Sequence, residues 1–111
     1  MSFDKELMKG STVPIVLQIL SEGESYGYQI IKTVNERTGG RFEWKEGTLY
    51  PCLHRLESDG LITSAWREGP SGKKRKYYSL TRTGRRELET RKQEWREFST
   101  QVNALLFGAT A

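Results

Sequence analysis

The chain has 111 residues, 35% of them hydrophobic and 29% charged, with a formal net charge of +4. This length accommodates one domain, or one domain with an appended element, and no stretch approaches the roughly 18 consecutive apolar residues of a membrane span. The N-terminus lacks the apolar run of a signal peptide and the only cysteine, Cys52, has no partner for an internal disulfide, so a cytoplasmic protein is expected.

The first 40 residues are predicted to form two helices. Apolar residues in the stretch 4–22 recur at close to helical spacing, and Pro14 either lies in the first turn after a Ser11 or Thr12 cap or kinks a helix that begins earlier. We favour one kinked helix over about residues 4–21. Ser25 then caps a second helix, which the pair Gly39–Gly40 ends.

The segment "EGTLYPCLHRLESDGLI" predicts a third helix over about residues 47–59. A proline is tolerated only in the first turn, which places the helix start near Gly47 or Thr48, and Gly60 supplies a left-handed end. At 100° per residue the apolar side comprises Leu49, Cys52, Leu53 and Leu56. The opposite side is small or polar, with Gly47, Pro51, His54 and Ser58, and with Tyr50 and Arg55 at its edges.

After Gly60 the periodicity changes to two, and the segment 61–80 predicts a β-hairpin whose turn, "GPSGKK", is basic. Thr81 is expected to cap a last helix over about 82–107, which would be roughly 39 Å long. Its apolar positions follow a heptad pattern that Arg91 interrupts, and a partner helix is needed to bury them. These positions are Leu88, Trp95, Phe98, Val102, Leu105 and Ala109.

This order of elements is that of a winged helix-turn-helix: a mainly α fold with a β-hairpin wing (α+β) and a long C-terminal dimerisation helix. Residues 1–81 would form the DNA-binding domain and residues 82–111 the dimerisation helix. The third helix would enter the major groove of operator DNA, with Gly47 allowing close approach and Thr48 meeting a phosphate. The expected readers of bases and phosphates are Tyr50, His54 and Arg55, and the expected backbone contacts are Lys73, Lys74, Arg75 and Lys76.

Three blocks, "YGYQII", "GTLYPCLHRLESDGLI" and "RKYYSLTRTGRREL", resemble the signature blocks of PadR-type transcriptional regulators, over about residues 7–107. The short length resembles the compact subgroup with a single C-terminal helix. The resemblance implies a homodimeric bacterial repressor, which binds a palindromic operator and is released by a small molecule or a stress signal. It also implies DNA contacts from Tyr28, Thr48, Tyr50, Pro51 and Lys76. Many members have histidine before the glycine of "SYGY", where this chain has Tyr26.

Trp95 raises the question of an effector site. Two tryptophans facing each other across a dimer axis pack poorly, and the slot between them would accept a flat aromatic ligand. Some compact members of the family sense several drugs through planar compounds bound between subunits. The candidate walls of this pocket are Met8, Val16, Glu94, Trp95 and Phe98, although an ordinary dimer seam explains the same residues.

The sequence also raises two other classes of function. A winged helix can also be a protein-interaction or assembly module that never touches DNA, but the basic hairpin argues against this. An enzyme is not indicated, because Cys52 and His54 point away from each other on a helix and no second His or Cys completes a catalytic or metal site. No cofactor is expected, and "GPSG" lacks the spacing of a phosphate loop.

Overall fold

The computed structural model describes residues 2–108, and the elements within this range follow the expected order. The helices are α1 (Lys5–Met8), α2 (Thr12–Ser21), α3 (Gly27–Arg37), α4 (Glu46–Ser58) and α5 (Arg82–Phe107), and the strands are β1 (Ser25–Tyr26), β2 (Ile62–Glu68) and β3 (Lys74–Leu80). The strands form one antiparallel sheet in the order β1-β3-β2. A mainly α chain with a hairpin wing and a long last helix confirms the fold class.

The N-terminal segment forms two helices, where a single kinked helix was expected. Lys9 is extended and Gly10 has a φ of 93°, a left-handed conformation that ends α1. Pro14 consequently lies in the first turn of α2, where its missing N–H has no helical partner to lose. The Ser11 hydroxyl donates a hydrogen bond to the Met8 carbonyl at 2.6 Å and does not cap α2.

The segment before α3 adds a strand that the sequence did not predict. Ser25 pairs with Tyr78 and Tyr26 with Tyr77 at the edge of the hairpin, so Tyr26, and not Ser25, occupies the N-cap position of α3. The helix ends as expected, because Gly39 and Gly40 both have positive φ.

The link between α3 and α4 is anchored by Trp44, which is buried in the core. The Asn35 side chain fixes its backbone: Nδ2 donates to the Trp44 carbonyl at 3.1 Å, and the Trp44 N–H donates to Oδ1 at 2.8 Å. Because this carboxamide satisfies both backbone groups of Trp44, the start of α4 is held at a fixed distance from α3.

Helix α4 begins at Glu46, so Pro51 lies in its second turn. The prediction that it lies in the first turn was wrong. A proline here removes the hydrogen bond to the carbonyl four residues earlier, which belongs to Gly47. Gly47 is exposed, and its carbonyl can therefore be hydrated, which keeps the cost of Pro51 low. The helix ends at Ser58, and Gly60, two residues later, has a φ of 76°, which confirms the predicted left-handed stop.

The core lies between α2, α3, α4, the sheet and the first turns of α5. Thr81 caps α5 as predicted, because its hydroxyl accepts from the Gly84 N–H at 3.0 Å. Two residues lie elsewhere than expected. Leu88 is 3% exposed and packs in the core, so it is not part of an exposed seam; Val16 is completely buried and does not line a slot between subunits.

Candidate nucleic-acid interface

The surface of α4 separates as its periodicity predicts. Leu49, Leu53 and Leu56 are buried in the core, and Cys52 is half-buried beside them. The opposite side is exposed along the whole helix and carries Gly47, Thr48, Pro51, His54, Arg55 and Ser58. This side is flat at its N-terminal end, because the first residues on it are a glycine, a threonine and a proline.

The first turn of α4 has less capacity for an anion than its position suggests. The Lys45 carbonyl accepts from the N–H groups of both Thr48 (3.0 Å) and Leu49 (3.1 Å), so Thr48 offers its hydroxyl and not its N–H. Glu46 also lies in this turn and complements the positive end of the helix dipole. A phosphate would therefore approach the exposed side of the turn at Thr48, away from the Glu46 carboxylate.

Gly47 leaves open space at the tip of this surface. A Cβ at this position would meet no heavy atom within 4 Å, so nothing inside the protein requires a glycine there. A close approach by another molecule remains a reason for the missing side chain.

Tyr50 is half-buried and joins α4 to the start of α3. A Cβ on Gly27 would overlap the Tyr50 hydroxyl oxygen and its ring, so the phenol lies directly on the glycine backbone. Nearby, burial raises the pKa of the Tyr78 phenol, and Glu57 and Tyr50 add to this effect. Tyr50 thus has a packing role, with part of its ring left at the surface.

The four cations of "KKRK" do not lie on one face. Lys73 belongs to the turn, and alternation along β3 places Lys74 and Lys76 on one face of the hairpin and Arg75 on the other. Lys76 lies on the α4 side, where its Nζ is 3.9 Å from a carboxylate oxygen of Glu57. The Arg75 guanidinium lies 4.3 Å from the ring centroid of Tyr26, on the opposite face.

Two exposed aromatic residues flank this surface. Tyr28, at the start of α3, is exposed as its proposed role requires. Trp66 is 67% exposed and pairs with Lys76 across the hairpin, and no role for it is predicted from the sequence. The period-two pattern of β2 was the available signal for Trp66. It places Trp66 on the same face of the strand as Ile62 and Ser64, and this face points towards α4.

A second region of interest surrounds Trp95, which is 48% exposed on α5. A cavity of about 450 Å³ on one side is lined by Gly10, Pro14, Arg91, Glu94, Trp95, Glu97 and Phe98. An apolar cavity of about 570 Å³ on the other side lies between α2, α3 and α5. Three predicted effector residues, Glu94, Trp95 and Phe98, thus share one cavity. Met8 is half-buried outside both cavities.

The far end of α5 is apolar and uncovered in the single chain. Phe98, Leu105, Leu106 and Phe107 are all exposed, whereas Val102 is half-buried. Ala109, the last predicted seam position, lies outside the described residues. Leu106 and Phe107 were not part of the predicted heptad pattern. Leu106 widens the apolar surface, whereas Phe107, nine residues after Phe98, lies on the opposite side of the helix.

Within residues 2–108, no group of three or more His, Cys, Asp or Glu side chains is arranged to hold a metal ion. None of the helices described there has the length and apolar character needed to cross a membrane.

Comparisons with known proteins identify relatives along nearly the whole chain. The model of the Transcriptional regulator PadR-like family matches residues 16–90. The crystal structure of a PadR-like transcriptional regulator from Bacillus cereus superimposes with a TM-score of 0.82 at 36% sequence identity, covering 94% of this chain and 99% of that chain.

Two curated proteins extend this result. The transcriptional regulator Rv3488 of Mycobacterium tuberculosis is 32% identical over 98 residues, which are 88% of each protein. The negative transcriptional regulator PadR of Bacillus subtilis is 33% identical over 73 residues, 66% of this chain, but the match spans only 40% of that protein's length. All three relatives are described as transcriptional regulators and none as an enzyme.

Proposed function

The chain belongs to the PadR-like family of transcriptional regulators, and we propose that it is a homodimeric repressor that binds a pseudo-palindromic operator and is released by a small-molecule effector. Residues 1–81 act as the DNA-binding domain and residues 82–111 as the dimerisation helix. The observation that carries the proposal is the exposed, small-tipped face of α4 beside a basic hairpin. The Bacillus subtilis relative is a negative regulator, which supports repression.

In the proposed complex α4 enters the major groove. Gly47 and Pro51 allow its backbone to approach the DNA, and the exposed side chains His54 and Arg55 read base edges or phosphates. The Thr48 hydroxyl and the Tyr28 phenol contact the flanking backbone. Tyr50 contributes only the part of its ring that Gly27 leaves free.

Dimerisation is supported by the distribution of apolar surface on α5. The first half of the helix packs on α2, where the Lys92 Nζ donates to Gln18 Oε1 at 3.1 Å. The second half carries Leu105, which is 86% exposed, beside Phe98 and Leu106, which are 62% and 69% exposed. A contiguous apolar patch of this kind marks an interface. A second copy would bury it and hold the two α4 helices about one helical turn of DNA apart, roughly 34 Å.

The effector site is proposed at Trp95, where two cavities meet at the same indole. A planar aromatic compound would stack on Trp95 and contact Phe98, whose ring centroid is 6.2 Å away. Glu94 and Glu97 in the smaller cavity would favour a cationic compound. Such a ligand releases DNA only if it binds the DNA-incompetent arrangement of the dimer more tightly.

Fluorescence anisotropy tests the DNA-binding part of the proposal. The purified protein is titrated against its own upstream DNA and a scrambled duplex over a salt series. We expect saturable binding with two subunits per site, tighter on the upstream DNA, with a steep negative salt slope. Equal and weak binding to both duplexes, unchanged by charge reversal at Lys73 and Lys74, would contradict DNA binding and favour an assembly module.

A further inference from the structure

We propose that only one face of the wing contacts DNA and that Trp66, on this face, is a DNA-contacting residue. Arg75, on the other face, positions the wing and does not touch DNA. The inference rests on the proposed DNA-binding function and deepens it. It assigns a role to Trp66, and it removes a cation from the contacts that the sequence predicted.

The pairing of β2 with β3 defines the two faces. Tyr78 pairs with Ser64, Lys76 with Trp66 and Lys74 with Glu68, and residues paired in an antiparallel ladder share a face. The Ser64 hydroxyl donates to Glu57 of α4 at 2.5 Å. These six residues therefore lie on the α4 side of the hairpin, which we call the inner face.

The outer face is occupied by a cluster of aromatic and charged side chains that contact one another. The rings of Tyr26 and Tyr77 meet edge to face with centroids 5.4 Å apart. Arg75 lies over Tyr26 at 4.3 Å, Arg67 lies over Tyr77 at 5.0 Å, and Arg67 also forms an ion pair with Glu24.

Both outer-face guanidinium groups are thus held against rings of the protein itself. Because Tyr26 belongs to β1 and directly precedes α3, this cluster attaches the wing to the start of α3. A guanidinium stacked in this way stabilises the angle of the hairpin by a cation–π contact. It would have to leave its ring to reach a phosphate.

The inner face has the opposite character towards its tip. Trp66 is two residues beyond Ser64, about 6.7 Å further along the strand, and so extends past the contact with α4. Its indole is 67% exposed. Within the described residues neither Lys73 nor Lys74 forms an ion pair, although Glu68 lies opposite Lys74 in the ladder.

An exposed indole between cations suits the DNA backbone. Its flat face can cover the apolar side of a deoxyribose, and its N–H can donate to a phosphate oxygen. DNA held by α4 would lie next to the inner face, since both surfaces lie on the same side of the sheet.

A matched pair of variants tests the division between faces. Lys74→Gln and Arg75→Gln each remove one positive charge from adjacent residues on opposite faces. With operator binding measured by anisotropy over a salt series, we expect Lys74→Gln to make the slope of log K against log salt shallower by about 1.8, because each of the two subunits loses one phosphate contact worth about 0.9. Arg75→Gln should weaken binding roughly four- to 25-fold without changing the slope, because each of the two subunits loses a cation–π contact worth about two- to five-fold.

Arg75→Lys separates stacking from charge. A phosphate contact made by a point charge would survive this exchange, whereas the planar stacking of the guanidinium would be lost. We therefore expect Arg75→Lys to weaken binding, but less than Arg75→Gln does, because an ammonium keeps part of the cation–π attraction. An equal slope change in Lys74→Gln and Arg75→Gln, or full affinity in Arg75→Lys, would overturn the positioning role. Thermal unfolding of each variant verifies that the fold is retained.

Trp66 is tested by Trp66→Thr, which keeps a β-forming residue in the strand, and by Trp66→Phe. We expect about 100-fold weaker operator binding for threonine, because each of the two subunits loses one buried aromatic contact worth about ten-fold. The salt slope should be unchanged, and phenylalanine should restore part of the affinity. Unchanged affinity in Trp66→Thr would refute the contact. If the wild-type protein itself binds no operator, the proposed function fails, and not only this assignment.

Discussion

Gly84 and Gly47 have different roles in this molecule, and the space available for a side chain at each position distinguishes the two. A Cβ on Gly84 would overlap the Leu61 carbonyl oxygen and approach Leu80 Cδ1 at 2.7 Å, so α5 crosses the backbone of residue 61 in direct contact. A Cβ on Gly47 would meet open space. The first glycine is required by packing, and the second is required only if another molecule approaches.

Gly84→Ala should lower the free energy of unfolding by about 2 kcal/mol or more, because the obstacle is backbone and cannot rotate away. Urea unfolding followed by circular dichroism measures the change. Wild-type stability in this variant would mean that α5 can shift away from residue 61 at little cost.

Gly47→Ala should act in the opposite direction on the fold and should weaken DNA binding. Alanine stabilises a helix relative to glycine by roughly 0.5–1 kcal/mol, while its methyl group would hold α4 away from the groove. Urea unfolding and operator anisotropy on the same variant test both parts. Unchanged operator affinity would show that the tip of α4 does not approach DNA closely.

Cys52 is a half-buried thiol that packs against the core. Burial raises the pKa of its thiol, against the opposing effect of Arg55 and Arg91. We therefore expect slow reaction with a disulfide reagent at pH 8 in the native protein, and fast reaction after unfolding in urea. Fast native labelling would contradict the buried position.

Raised pKa values also predict how stability depends on pH. The folded pKa values of Cys52 and Tyr78 both exceed their ordinary values, so the unfolded chain releases these protons first. Their contribution to stability is fully present below the unfolded pKa of the thiol, about 8.5, and is lost as pH rises through the folded values. The melting temperature should therefore decline above about pH 8.5, and Cys52→Ser should reduce the decline between pH 8.5 and 9.5.

At the scale of elements, α5 serves two different environments along its length. Its first two turns are capped by Thr81 and pack in the core through Leu88. Its last turns carry Leu105, Leu106 and Phe107, which are each more than two thirds exposed. A helix that is anchored at one end and apolar at the other is stable only if its free end finds a partner.

The double variant Val102→Ser with Leu105→Ser, which changes two positions on one face of α5, should convert the proposed dimer to monomers and leave the fold of residues 2–81 intact. Sedimentation velocity measures the oligomeric state, and Gln101→Ser on the same helix is the control, because this side chain is polar and exposed. Leu88→Ala should instead lower the free energy of unfolding by about 2–5 kcal/mol, as a core truncation does. A double variant that remains dimeric would place the interface elsewhere.

At the scale of the whole molecule, the chain is elongated, with extents of 54 × 33 × 21 Å. The long axis reflects α5 extending past the body that carries α4 and the wing. If two chains pair through α5, a small change in the angle between these helices is amplified at the distant DNA-binding surfaces. Trp95 lies where α5 leaves the body, which is the position from which a ligand would alter that angle.

Trp95→Ala should abolish the binding of a planar cationic dye, measured by the polarisation of dye fluorescence, while operator affinity in the absence of dye is retained. Trp66→Thr is the matched control, because it removes the other exposed tryptophan and should leave dye binding unchanged. Equal dye affinity in the wild type and in Trp95→Ala would refute the effector site.

Local chemistry alone determined a large part of this architecture. The buried side of α4, the stop at Gly60, the cap at Thr81 and the hairpin over 61–80 all follow from spacing, turn residues and hydroxyl capping within a few residues of chain. The signature blocks identified the family for the same reason, since they are contiguous in sequence.

Contacts between distant residues decided the rest. Ser25–Tyr26 forms a strand only because β3 passes beside it, and Leu88 left the predicted seam because the core of the same chain already covers it. The run "KKRK" is a single block of positive charge in the sequence, but in the hairpin its side chains lie on two opposite faces, and Arg75 is held by Tyr26. Periodicity shows which residues share a face; only the packed structure shows what lies opposite that face.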